Sequence, residues 1–424
     1  MPTSDTPPLK TALPSPLFPY MFWAHEGMIG PTWSLSQSGM PAPAGAWLAE
    51  LAGTPDGSGA GGDPAAAWDA DLMHPTGEAQ PGLEAAIAAD LGVPAERVLV
   101  TLGASMSMAI IASWLFRPTA DGPATVAVDV PSYEPFRQLP PYFGAHCAPV
   151  TRRFDEGWRL DPGDVAEALG LSAPEIPDPE ARTAAEAVGL APRHLFFTNP
   201  SNPTGQTEDL AGLEALGAVI GPARTPGRNA MIVSEAYMPL SPIQTCAARD
   251  IPHAISLGSL TKAYGLGALR IGWIVLGEAW ASARAELVGH TYLAYVDPPT
   301  ASQRRGLQLM PHLAALLAPY KAFTSESRPE LFAGIAESPH LSGPMYDIGL
   351  VAFPRVEPRT GETVADTQDL ATFLRNEHDL GVTPGEHFGA PGHLRLGFGA
   401  PAEHVREATA RLVQGVAAWH ARQR

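Results

Sequence analysis

Two hydrophobic rhythms alternate along this chain. Short apolar runs rich in β-branched and aromatic residues, such as RVLV, ATVAVDV, HLFF, MIV and RIGWIVL, carry the period and length of buried strands. Between them lie longer stretches with helical spacing. The pattern predicts strands beginning near residues 97, 124, 146, 194, 231, 253 and 270. It predicts helices over 43–53, 83–92, 106–116, 161–170 and 208–221. Gly92 suits the residue after a helix end, and Asp161 suits an N-cap. Strands alternating with helices imply a doubly wound, mainly parallel α/β sheet. Residues 279–320 read as largely helical, and the pattern changes from about 330. There a helix over 366–378, two short strand-like segments and a final helix from Ala402 suggest a small α+β domain. The expected organisation is an N-terminal arm (1–45), a large domain (46–295) and a small C-terminal domain (296–424) that starts with a linking helix. The proline-rich lead-in reads as extended chain, residues 172–193 as a surface insertion, and 16–30 as an aromatic segment that packs on a domain or a partner.

Composition narrows the function. A net charge of −17 argues against nucleic acid or an anionic membrane surface as the main partner. No apolar run is long enough to span a bilayer and no signal-peptide core opens the chain. Cys147 and Cys246 form no CxxC or Cys/His cluster, so neither a metal site nor a disulfide framework is expected, and a reducing, cytoplasmic compartment fits.

Three strand ends turn abruptly polar: TNPSNPTG (198–205), SEAY (234–237) and SLTKAYGLGALRIGW (259–273). Polar groups at the carboxyl ends of parallel strands face the ligand crevice. The first is a proline-braced turn presenting Asn199 and Asn202. The third sets Lys262 between hydroxyl residues, ahead of Gly265 and Gly267. A lone lysine is most often a solvated surface charge; its place after a strand sets this one apart.

These segments resemble the fold-type-I pyridoxal-phosphate (PLP) enzymes of the class I/II aminotransferase superfamily. NPSNPTG is similar to that family's Asn-Pro-x-Asn-Pro-x-Gly motif, SLTKAYGLGALRIGW to its lysine-to-arginine segment, and HLRLGFG to its late arginine segment, in the family's order. The resemblance implies a large PLP-binding domain with a mainly parallel seven-stranded sheet, a small C-terminal α+β domain, pyridoxal 5′-phosphate as cofactor, an amino-acid substrate and a homodimer. It implies that Lys262 carries PLP as a Schiff base and moves the substrate Cα proton. Ser259, Thr261 and Arg270 are implied to bind its phosphate, together with backbone N–H groups at Gly103, Ala104 and Ser105, a segment otherwise readable as an ordinary turn. Tyr133 is either the aromatic ring stacked on the cofactor or a core tyrosine. Asn202 and Tyr237 would meet the ring oxygen, Asn202 also lining the substrate site. Arg395 would grip the substrate carboxylate, since a buried guanidinium needs an anion. Gly39 would let the chain approach the substrate. Trp23 and His25 are candidates for the substrate wall or for plain packing.

Two positions depart from the family pattern. His74 stands where a tyrosine that reaches the neighbouring subunit's phosphate is usual. It addresses phosphate or substrate, or is a surface histidine. Ser234 stands where an aspartate normally pairs with the pyridine nitrogen. A one-residue slip would make Glu235 that acid, but adjacent strand residues face opposite sides. A serine hydroxyl can only hydrogen-bond a neutral nitrogen, which weakens the ring as an electron sink. The resemblance therefore implies an aminotransferase first. A lyase, cyclase or β/γ-replacement enzyme is the alternative that Ser234 favours. A non-enzymatic ligand sensor fused to a DNA-binding module is disfavoured by the acidic charge and by the intact Lys262, Asn202, Arg270 and Arg395.

Overall fold

The computed structural model describes residues 18–27, 30–52, 79–171, 191–221, 229–346 and 349–422. The expectations for the lead-in before residue 18, the Gly/Ala/Asp-rich loop, most of the 172–193 insertion and His74 lie outside the described residues.

A short strand, β1 (Trp33–Ser34), precedes the main sheet. That sheet contains β2 (Val98–Thr101), β3 (Thr125–Val130), β4 (His146–Thr151), β5 (Arg193–Thr198), β6 (Ala230–Ser234), β7 (Ala254–Ser259) and β8 (Gly272–Leu276). Their order is β2-β8-β7-β6-β5-β3-β4, with β8 antiparallel to both neighbours and the other pairs parallel. The seven strands match the runs read from sequence.

Alternation along β6 shows how the sheet is filled. Met231 and Val233 join one core with Leu195, Phe197 and Leu213. Ile232 joins the other with Ile111, Val128 and Phe196. Burial on both faces explains why these strands read as unbroken apolar runs. The helix over 162–168 is capped by Asp161, whose side chain accepts from the Gly163 and Asp164 N–H groups. Gly92 sits at φ +68°, beyond the helix end at Leu91.

A helix over Glu134–Tyr142 was not expected from the sequence, because Pro135, Pro140 and Pro141 argue against one. Pro135 occupies the first turn, where its missing N–H costs no intrahelical bond. The change of pattern expected near 330 falls later. One helix runs Leu313–Glu337, with Pro319 and Pro329 inside it. Its first turns pack Leu313, Leu316 and Leu317 beside the sheet, and its last turns pack Leu331 and Ile335 into a separate core. Twenty-five residues of helix span about 38 Å at ~1.5 Å each, so this one element ties the two cores together.

The second core holds the helices Thr367–His378 and Ala402–Ala421. Strands β9 (Leu341–Ser342), β10 (Val351–Ala352), β11 (Arg355–Val356), β12 (Leu380–Gly381), β13 (Thr383–Pro384) and β14 (Leu394–Gly397) complete it. They form the sheet β10-β14-β13 and the pair β11-β9, while β1 pairs in parallel with β12. Residues 33–34 therefore join a C-terminal strand, and the segment that follows is carried to the ends of the main strands.

Candidate active site

The polar ends of β5, β6 and β7 lie side by side. Thr198 pairs with Ser234, and Ser234 with Leu257. The Ser234 carbonyl accepts from Asn199 N at 2.9 Å and from Thr198 Oγ1 at 3.0 Å. Asn199 is a brace: its side chain exchanges two bonds with the Glu208 backbone, at 2.8 and 2.9 Å. Asn202 is buried, and its Oδ1 has no hydrogen-bond partner.

Ser234 and Glu235 part company as strand alternation requires. Glu235 Oε1 accepts from Ala247 N at 2.9 Å, and burial raises its carboxyl to about 7. That carboxylate is committed to the start of the short helix Ala247–Asp250. Ser234 is left at the strand end as a buried hydroxyl.

Lys262 follows β7. Its Nζ donates to Ser38 Oγ at 3.1 Å, and its carbonyl accepts from Met40 N at 2.9 Å. A Cβ on Gly39 would lie 3.4 Å from Lys262 Cδ, so the 38–40 segment is laid directly along the lysine. Burial lowers the basicity of the amine, Arg395 and Arg270 lower it further, and Tyr20 opposes them.

Arg270 adopts a left-handed backbone, φ +54°, and its Nη2 donates to Leu102 O at 3.1 Å. This brings the guanidinium to Gly103, where a Cβ would stand 2.8 Å from Nη2. Gly103, at φ +82°, precedes the helix Ala104–Leu115 and provides no side-chain cap. The first intrahelical bonds come from Met106 and Ser107, both to Gly103 O. The earlier Ala104 and Ser105 N–H groups precede them, beside an exposed Ser105 and an exposed arginine. Ser259 is buried at the end of β7, and its Oγ accepts from Thr261 N at 3.4 Å.

Arg395, in β14, is fully buried. Its Nη2 faces Ser36 O at 2.7 Å, Tyr20 OH at 3.1 Å and Thr383 Oγ1 at 3.2 Å. Its Nε and Nη1 have no partner. Tyr133 meets Tyr20 edge-on at 5.8 Å between ring centroids and also packs near Phe18. Burial raises its phenol, with Tyr20 and Tyr237 adding to that rise. The Tyr237 hydroxyl donates to Ser38 O at 2.8 Å.

The aromatic segment near the N-terminus packs on its own chain. Tyr20 N donates to Glu134 Oε2 at 2.8 Å, and Trp23 lies against His387 at 4.8 Å between rings. Of the candidates Trp23 and His25 on the arm segment that begins at Tyr20, Trp23 packs beside the site and the His25 side chain lies outside the described ones, while Ser36, Ser38 and Thr383, passed over in the sequence, reach the site through the fold. The polar SLSQSG stretch between two apolar segments was the available signal.

A lysine of reduced basicity and an arginine at a helix start, both on the polar edge of the main sheet, together with a second arginine, on β14, short of an anion, define a pyridoxal-phosphate-dependent enzyme. The chain belongs to the family of class I and II aminotransferases, whose profile matches residues 72–412. Arginine–pyruvate transaminase of Pseudomonas aeruginosa is 28% identical over 332 residues, 76% of this chain and 75% of its own. Capreomycidine synthase of Streptomyces vinaceus is 26% identical over 348 residues, 81% and 80% of the two chains. A PLP-dependent aminotransferase structure from Streptococcus suis superposes with a TM-score of 0.77 at 19% identity, covering 97% of this chain and 100% of that one. The residues present fit the cofactor. The partnerless Asn202 Oδ1 and Arg395 nitrogens call for polar and anionic groups from outside the chain.

Proposed function

We propose that this protein is an aminotransferase acting on an α-amino acid, with Lys262 as the residue that anchors pyridoxal phosphate. The observation that carries this reading is the charge of the site. In a chain of net charge −17, Arg395 and Arg270 disfavour the charged form of Lys262 and Tyr20 opposes them, with no carboxylate acting on it among the described residues. Such a site suits a ligand pair that brings its own anions, a phosphate and an α-carboxylate. The chain has three lysines, Lys10, Lys262 and Lys321, and Lys321 is an exposed residue of the long helix.

When bound, pyridoxal phosphate supplies a carbonyl carbon for exchange of amines and an electron-withdrawing ring that acidifies the substrate Cα–H. The chain's residues do the rest. Arg270, Ser259, Thr261 and the Ala104 and Ser105 N–H groups would hold the phosphate. Tyr133 would be the aromatic neighbour of the ring, Asn202 and Tyr237 would serve its oxygen, and Ser234 would offer its nitrogen a neutral hydroxyl. Arg395 takes the substrate carboxylate through nitrogens that lack partners, and Gly39 leaves room beside Lys262. The Lys262 amine, made less basic by its surroundings, takes the Cα proton and returns it.

The comparisons do not favour the lyase, cyclase or replacement alternative. Incubation with a panel of α-amino acids should convert bound cofactor to pyridoxamine phosphate with release of the matching keto acid. Ammonia release without pyridoxamine phosphate would overturn the transfer reading.

A homodimer fits the exposed apolar group Tyr292, Leu293 and Val296, with Leu293 87% exposed. Free Cys147 and Cys246 suit a cytoplasmic setting. Among the described residues no helix is long and apolar enough to cross a membrane.

A further inference from the structure

Ser38 is buried and joined to the site twice. Its carbonyl accepts the Tyr237 hydroxyl at 2.8 Å, and its hydroxyl accepts from Lys262 Nζ at 3.1 Å. The backbone around it is fixed independently of that hydroxyl. Leu35 N donates to Gly381 O at 2.8 Å on one side, and Met40 N donates to Lys262 O at 2.9 Å on the other. The Ser38 side chain is therefore aimed at the lysine amine by contacts that would survive its removal.

Resting on the assignment of Lys262 as the cofactor anchor, we propose that Ser38 is a further catalytic residue, whose hydroxyl receives the free Lys262 amine and accepts an N–H from the ammonium that forms when Nζ takes the substrate Cα proton. The surroundings of Nζ leave this task to a neutral acceptor. Arg395 and Arg270 disfavour the ammonium, Tyr20 favours it, and among the described residues no carboxylate acts on it. A carboxylate at position 38 would lock the amine in its charged form. A hydroxyl accepts from the ammonium in a charge-assisted bond that is stronger than the one it can donate to the neutral amine, so it favours the charged state without locking it.

The test uses the full-length chain stripped of cofactor. Pyridoxal phosphate is added across a pH series, and the rate at which its visible lysine-linked band appears is followed. Only the neutral amine attacks, so the midpoint of this profile reports the proton affinity of Lys262. A hydrogen bond to the charged form raises that affinity. Ser38→Ala is expected to move the midpoint to lower pH by about one unit, a roughly tenfold loss of proton affinity. Ser38→Thr, which keeps the hydroxyl, is expected to restore it. An unchanged or raised midpoint in Ser38→Ala would overturn the proposal while leaving Lys262 as the anchor. If Lys262→Ala still develops the same band, both the proposal and the anchor assignment fall.

Discussion

Arg152 and Arg395 are both fully buried, and their surroundings resolve that burial differently. Arg152 is neutralised from within. Its Nε meets Asp129 Oδ2 at 2.7 Å, and its Nη1 meets Glu208 Oε1 at 3.2 Å, Gln206 Oε1 at 2.9 Å and Trp158 O at 2.8 Å. Two carboxylates surround one guanidinium. Arg395 has only hydroxyls and a carbonyl, all on Nη2. Aromatic faces lie near it, Phe388 at 5.0 Å and Tyr20 at 5.7 Å from the guanidinium carbon. A buried charge without a counter-charge is costly unless a ligand provides one. The contrast separates a structural arginine from a functional one by charge rather than by burial, which is the same for both.

The sharpest way to break the comparison is to remove each arginine. Arg152→Ala would strand Asp129 and Glu208 and should lower stability by about 3–5 kcal/mol, read by urea denaturation. Arg395→Ala should leave the urea midpoint nearly unchanged. Its effect should fall on kcat/KM for an α-amino acid, by about 2–5 kcal/mol, roughly thirtyfold to several thousandfold. If Arg395→Ala unfolds the chain as Arg152→Ala does, the distinction fails.

A third buried charge sharpens the comparison through pH. Burial raises Glu235 to about 7, from an ordinary value near 4.5. Between those values the folded chain holds a proton that the unfolded chain has released. Its contribution to stability is therefore full below pH 4.5, declines as pH rises and is lost above 7. Glu235→Gln keeps an acceptor for Ala247 N and cannot ionise. It should be more stable than the parent at pH 8, by up to about 3 kcal/mol, with the advantage vanishing at pH 4.5. An advantage independent of pH would place the carboxyl in a wetter setting than described. The smallest effect belongs to an exposed pair. Arg406 meets Glu330 at 2.7 Å, and Arg406→Ala should barely move the urea midpoint, with a difference that salt removes.

Much of this was legible in the chain because it is local. Apolar runs located all seven main strands. Alternation along MIVSEAY placed Ser234 and Glu235 on opposite faces, as observed. The motifs around Asn202, Lys262 and Arg270 lie on strand ends or adjoining turns, where short-range pattern and position coincide. What stayed hidden depends on distant chain. Tyr20 and Arg395 are 375 positions apart, Ser38 and Lys262 224 apart, and Ser38 and Tyr237 199 apart. These contacts rely on β1 pairing with β12 and on the helix Pro19–Gly27 packing at Glu134 and His387, which no local period reveals. The helix over 134–142 was masked by prolines whose positions the fold tolerates.

Lys262 is the residue proposed to carry the cofactor. Borohydride reduction of the yellow protein, followed by peptide mass mapping, tests it directly, because Lys10 and Lys321 are the other lysines in the chain. The reduced cofactor should sit on the peptide containing Lys262 and be absent from a Lys262→Ala variant. Label on Lys10 or Lys321, or an undiminished label in the variant, would contradict the account.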